Sequence, residues 1–344
     1  MENSTKEVGA NQKHYVTIYL KLMFIVYEPI VITIGLIGNL IVMVVMPRKS
    51  VKVAATLKFY YVSIAIADFI DIFNSWFLWV ILSDTLYLVS GERFSVNLVT
   101  LHSFTCKGMV LVWAISEVYS DYSVTAMTIE RLIALYFPLK SKAILTGKFT
   151  LIMLLITVLP MWAAIVPFIP MVSNIMYNPG TSATGVHCSR DTSHPLYDYY
   201  AFAFNAVMNV IHEVLNTFLV MILIAGIMKI TISRKHLIQT DNASANVTKI
   251  INSAIILMII LIINSIVFLP NFAFGFIYYS VKLEDDNAMI IMGNLYRFFA
   301  DMIVIAHSLN FFVYYWKIPT FRQATKNFIC CCQEVRLQEH SQSV

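Results

Sequence analysis

The residues of this chain with the most chemical potential are ionisable side chains set inside long apolar runs. Asp68 and Asp71 lie in one run, and Glu117, Asp121 and Arg131 in the next. His212 and Glu213 share another, and Arg297, Asp301 and His307 share the last. In water such groups would be an ordinary solvated face. In a lipid core a charge is costly to bury, so by default these positions are functional ones. A passive anchor has no reason to hold so many. Glu117 and Asp121 are four apart and stack on one helical face. Two carboxylates that close in lipid repel, so at least one must be neutral or paired with a cation. No HExxH or GxSxG motif and no Cys/His metal cluster is present, and those would be the sequence signs of hydrolytic or metal chemistry.

The elements that position these groups follow from composition. The chain has 344 residues, 58 % hydrophobic and 13 % charged, with a net charge of +4. Its mean hydropathy is +0.72. Soluble chains carry about 25 % charged residues, and one with half that number could not cover its surface. An ordinary cytosolic enzyme, a disordered chain and a nucleic-acid binder are excluded, and an integral membrane protein remains. Seven apolar stretches reach the ~20 residues that span a bilayer core. They fall at 22–46, 57–82, 104–136, 149–174, 197–229, 249–279 and 288–316. Their runs are continuous, with no period of two, so they read as helices rather than barrel strands. The expected fold is all-α: a tail over 1–21, a seven-helix membrane bundle over 22–316, and a cytoplasmic segment over 317–344.

Basic residues orient the bundle. Arg48, Lys49, Lys52 and Lys58 flank the first loop, Lys140, Lys142 and Lys148 the third, and Lys229, Arg234, Lys235 and Lys249 the fifth. The positive-inside rule makes these loops cytoplasmic, so the N-terminus is outside. The first twenty residues lack the apolar core of a signal peptide, so the first span is expected to act as its own insertion signal. Asn3 then begins a glycosylation sequon on the outer side. The sequons at Asn242 and Asn246 fall inside the cell and are set aside. Cys106 and Cys188 both face the oxidising side, which permits a disulfide; the alternative is two unrelated thiols. A bridge would pin loop 175–196, with its Asn178-Pro179-Gly180 turn signal, as a small hairpin over the bundle mouth. Cys330, Cys331 and Cys332 follow the last span on the reducing side and are candidates for palmitoylation. Before them Phe321, Ala324, Phe328 and Ile329 share one helical face, which predicts a short interfacial eighth helix.

Along span three, Arg131 lies ~37 Å beyond Cys106 at ~1.5 Å per residue, so the two sit at opposite interfaces, and Glu117 lies ~16 Å deep. In this setting several motifs resemble those of rhodopsin-family G-protein-coupled receptors over nearly the whole chain. Gly38-Asn39-Leu40-Ile41-Val42 resembles GNxxV, and Ser63 to Asp68 resembles LAxAD. Glu130-Arg131-Leu132 stands in place of Asp-Arg-Tyr, Phe268-Leu269-Pro270 in place of Trp-Leu-Pro, and Asn310-Phe311-Phe312-Val313-Tyr314 in place of Asn-Pro-x-x-Tyr. Trp162 is displaced from the family's span-four position, span five lacks its Pro, and Lys249 and Ile250 stand where an acid would form a lock with Arg131. Together these features look most like invertebrate FMRFamide-type neuropeptide receptors and their divergent chemoreceptor relatives.

The resemblance implies roles. Glu130, Arg131, Tyr314, Pro270 and Phe268 would form the switch that opens a cleft for a heterotrimeric G protein. Asp68, Asn39, Ser120 and Asn310 would form a pocket for water and an allosteric sodium ion, with His307 standing where smaller polar residues are usual. No other cofactor is expected. Residues 298–316 contain no Lys for a retinal, and the position seven past Cys106 is Trp113 rather than the Asp of an amine receptor. Aromatic residues, among them Trp76, Trp79, Trp113, Tyr119, Tyr278, Tyr279, Tyr296 and Phe298, line the outer half. With Glu117, Glu213 and Asp301 they suit a cationic, aromatic peptide end. A lipid belt and an Asp301–Arg297 pair are the plainer accounts. The expected function is a plasma-membrane receptor for an amidated neuropeptide. A small-molecule chemoreceptor and a non-coupling decoy are the alternatives, and a transporter would call for internal repeats that are not seen. Ser341 and Ser343 are the tail's phosphate sites for any arrestin regulation.

Overall fold

A computed structural model describes residues 22–177, 186–191, 193–205, 210–237, 241–280 and 286–342. Seven long helices among them form one bundle. They are α1 (Glu28–Val45), entered through a π turn at Met23–Tyr27; α2 (Ala55–Asp71), prolonged as a π-helix over Ile72–Thr85; and α3 (Ser103–Tyr136). Then come α4 (Gly147–Ile165), α5 (His212–Leu237), α6 (Asp241–Ser280) and α7 (Asp286–Lys317). An eighth, α8 (Pro319–Gln342), follows. Six of the helical stretches are long and apolar enough to cross a membrane. The seventh, α3, is more polar because it is the axis of the bundle. It packs against α2, α4, α5 and α6, and its acids and hydroxyls are buried among them.

Local chemistry sets the ends. His102 accepts from the Phe104 N–H at 3.1 Å while Thr105 Oγ1 accepts from the His102 N–H at 3.1 Å, a reciprocal cap that starts α3. Thr146 caps α4 through the Phe149 N–H at 3.3 Å. The second span continues helically to Val89, beyond the expected end at 82. No Gly or Pro interrupts residues 55–90, and the helix stops where Gly91 takes a left-handed φ of 67°. The fourth span breaks into a turn after Ile165, where Pro167 and Pro170 remove N–H donors, and resumes as helix over Ile169–Val172, near the expected end at 174. The fifth comprises a helical segment Tyr197–Asn205 and, after residues outside the described set, α5.

The helical bundle carries the small hairpin expected in the loop after the fourth span. β1 (Ser173–Tyr177) and β2 (Val186–Arg190) pair antiparallel, with Ile175 opposite Cys188. Just after the hairpin, Asp191 accepts from the Ser193 hydroxyl at 2.6 Å and its N–H at 2.9 Å, which holds the Asp191 carboxyl below the usual carboxylate range. The last helix is also longer than the short one expected, running to Gln342. Phe321 and Ala324 of α8 are buried, but Thr325 shares that face and Ile329 is 48 % exposed. Turning at ~100° per residue, a helix that buries 321, 324, 325 and 328 carries 329 off the seam. Arg48 lies over the Phe328 ring at 4.8 Å, and Thr320 Oγ1 accepts from the Lys52 N–H at 3.1 Å, so α8 is fastened to the end of α1.

Candidate functional site

Three groups of functional side chains are strung along α3. At its far end Glu130 is fully buried and Arg131 is 6 % exposed. Arg131 Nη2 lies 3.8 Å from Glu130 Oε2, and the Tyr60 hydroxyl of α2 donates to Glu130 Oε1 at 2.9 Å. Tyr60 escapes sequence reading because a tyrosine in an apolar helix looks like packing. Tyr314 of α7 is buried with its ring 4.4 Å from Tyr61. Neither its hydroxyl nor the Arg131 Nε meets a hydrogen-bond partner among the described residues. Buried donors left unmade in one arrangement favour another arrangement that supplies partners.

The middle of the bundle holds a polar cluster. Asp68 Oδ1 accepts from Ser120 Oγ at 2.5 Å and lies 2.9 Å from His307 Nδ1, and Asp68 Oδ2 accepts from Asn310 Nδ2 at 2.7 Å. Asn39 does not touch Asp68 directly; its Nδ2 donates to the His307 carbonyl at 3.2 Å. His307 Nε2 faces Asp71 Oδ2 at 4.0 Å. A second pair ties α3 to α5, with His212 Nδ1 3.8 Å from Asp121 Oδ2. The other His212 nitrogen lies 2.6 Å from Asn216 Nδ2, and Asn216 Oδ1 accepts from Thr125 at 3.4 Å. Asp121 thus faces a histidine of α5 at ion-pair distance rather than at hydrogen-bonding distance.

Phe268 stands between the two histidines. Its ring meets His212 edge-on at 5.6 Å and His307 at 6.4 Å. Two residues on, Pro270 lies inside α6 and denies the Ile266 carbonyl its usual helical donor.

Near the Cys106 end a disulfide joins Cys106 to Cys188, with Cα atoms 5.5 Å apart, and holds the hairpin against α3. Below it Trp113 is half-buried and Glu117 is 5 % exposed. Trp162, displaced in the sequence, donates from Nε1 to the Ile115 carbonyl at 3.2 Å and stacks on Tyr119 at 6.1 Å, so it still packs α4 onto α3. Glu213 in the first turn of α5 is 5 % exposed. Ser265 of α6 faces its carboxylate, and neither oxygen reaches a donor at full hydrogen-bonding geometry among the described residues. Tyr296 of α7 is half-buried. The side chains of Asp301, Arg297, Tyr278 and Tyr279 lie outside the described set, as do those of Cys331 and Cys332 and the whole of Asn3. Cys330 is exposed with a free thiol.

The family model described as 7 transmembrane receptor (rhodopsin family) matches residues 38–314. Among curated proteins none matches the chain significantly. The match runs from the Gly38 motif of α1 to the Tyr314 motif of α7, and so takes in the polar spine just described. The chain is therefore a multi-pass receptor of the plasma membrane and not an enzyme, and it belongs to the rhodopsin family of seven-transmembrane receptors.

Proposed function

We propose that this receptor captures an amidated neuropeptide on the outer side of the cell and activates heterotrimeric G proteins within. One observation supports the ligand class: Glu117 and Glu213 are buried acids on packed helices, below a disulfide-held hairpin, with Trp113 one turn above Glu117 on α3. Buried carboxylates favour a cationic ligand group, and aromatic walls favour its planar apolar neighbour. A peptide ending in Arg-Phe-amide offers both. On the other side, Arg131 and Tyr314 hold unmade hydrogen-bonding capacity that a G-protein helix would meet once Phe268 and Pro270 let α6 swing. Asn3 would carry a glycan, and Cys330, Cys331 and Cys332 would take palmitate where α8 lies along the inner leaflet.

The test is a library of amidated and free-acid peptides applied to cells expressing the receptor, with G-protein activation recorded. Amidated basic-aromatic peptides are expected to be active. Glu117→Gln and Glu213→Gln should each weaken them about 30-fold or more, since removing one partner of a buried charge pair costs ~2–5 kcal/mol. A second reading is favoured by the hairpin, which packs on α3 and would serve as a lid if the ligand were a small molecule. Silence toward every peptide, with a response to small odorant-like molecules, would replace the first reading by the second.

A further inference from the structure

Membership of this family raises a sodium ion beside Asp68, and the geometry around that carboxylate is a poor fit for one. A hard cation needs several oxygen lone pairs converging on one point. Here the Asp68 oxygens are met by the hydroxyl of Ser120 at 2.5 Å, a ring nitrogen of His307 at 2.9 Å and the amide nitrogen of Asn310 at 2.7 Å. All three serve as donors to the carboxylate. Asn39, the remaining oxygen-bearing side chain expected there, turns its amide nitrogen to the His307 carbonyl at 3.2 Å.

The imidazole is also held from every side. Asp68 and Asp71 of α2 face its two nitrogens at 2.9 and 4.0 Å, and Ser75 Oγ donates to Asp71 at 3.2 Å. Ser120 and Asn310 complete the Asp68 side from α3 and α7. Phe268 of α6 closes the face away from α2, with His212 and Asp121 beyond it. His307 is 3 % exposed, so displacing its ring to admit an ion would leave two buried carboxylates and break a close-packed contact.

We propose that His307 stands in place of the sodium ion: its imidazole is a built-in counter-charge that joins α2, α3 and α7, and the resting bundle is indifferent to sodium. An imidazolium carries an N–H on each ring nitrogen; here Nδ1 hydrogen-bonds Asp68, while Nε2 faces Asp71 at ion-pair distance without a hydrogen bond. The cation becomes part of the chain, and its hold on the resting state no longer depends on an ion gradient. The inference does not rest on the ligand class proposed above.

The test needs no ligand. The intact receptor is purified in detergent and its thermal unfolding followed in sodium chloride and in an equal concentration of N-methyl-D-glucamine chloride. Wild-type Tm is expected to be the same in both. His307→Ser, which opens the pocket and adds an oxygen, should gain a Tm several degrees higher in sodium, and Asp68→Asn added to it should abolish that gain. A sodium-specific rise in wild-type Tm overturns the proposal. So does an indifferent His307→Ser protein, because the ring is then not what stands in for the ion. If His307→Ser does not fold, His307→Gln, which keeps most of the volume and supplies a carbonyl oxygen, is read by the same two outcomes.

Discussion

Tyr60 and Arg131 compete for Glu130, and the balance is visible in the distances: the Tyr60 hydroxyl is at 2.9 Å while the guanidinium is at 3.8 Å. Glu130 is therefore held mainly by α2, and Arg131 is only loosely engaged. Removing the Tyr60 hydroxyl deletes one hydrogen bond to a charged group, worth ~1.5–3 kcal/mol. Tyr60→Phe should draw Arg131 closer to Glu130 and lower ligand-free GTPγS exchange in membranes, whereas an unchanged or raised basal rate would show that Tyr60 is mere packing. Arg131→Ala should abolish G-protein activation while labelled-peptide binding is retained, since the ligand residues lie more than two helical turns away along α3. Unaltered signalling would remove the role assigned to Arg131. At this scale the sequence located the acids and the arginine, because charge inside an apolar run stands out. It did not disclose Tyr60, nor that Asn39 serves the His307 backbone rather than Asp68. Those depend on which helix faces which, and spacing along one helix does not contain that.

Among the elements, the contact of α1 with α7 shows how a lost proline is accommodated. Phe311 stands where the family has Pro, and α7 runs unbroken from Asp286 to Lys317. Its ring is taken up by a groove: a Cβ added at Gly38 would meet the Phe311 Cβ at 3.0 Å and its ring carbons at 3.3 and 3.6 Å. The same ring meets Phe321 of α8 edge-on at 6.1 Å, so one side chain links α1, α7 and α8. One turn away, a Cβ at Gly35 would press on Ser308 and on Ile72 Cδ1 at 2.8 Å. Small residues let helices approach in lipid. Gly35→Val should therefore cost ~1–3 kcal/mol by overpacking, seen as a lower Tm and reduced surface expression. The disulfide acts at the opposite end, closing 82 residues of chain. Loop-closure entropy for that length is ~4.5 kcal/mol. Cys188→Ser should lower Tm in proportion and release the hairpin from α3, measured by faster deuterium exchange at Ile175. Helix existence was legible from the apolar runs, but the caps that start α3 and α4 and the proline break that ends α4 were not read from them. The π-helix over Ile72–Thr85 was not legible either, for the apolar run continues through it without a break, and Asn74 there is held by the Met109 carbonyl at 2.9 Å.

For the molecule as a whole, the arrangement of charge decides function more than the number of charges. The acids and histidines converge on α3, while the lysines and arginines gather in the loops at the Arg131 end. This buried seam of acids and histidines links α3 to α2, α5 and α7. Under the proposed function, the basic loops mark the end of that seam that would meet the G protein. Each of Arg48, Lys49, Lys52 and Lys58 resists translocation, so the bundle should insert with these loops inside and its N-terminus out. Epitope tags at the two ends test this. In intact cells the N-terminal tag should stain and the C-terminal one should stain only after permeabilisation, and Asn3→Gln should remove one glycan's mass from the receptor on a gel. Staining of both tags from one face would mean an even number of crossings. Arg131 would then lie opposite or beside the ligand mouth rather than across the membrane from it, and the coupling role derived for it would fall with the topology.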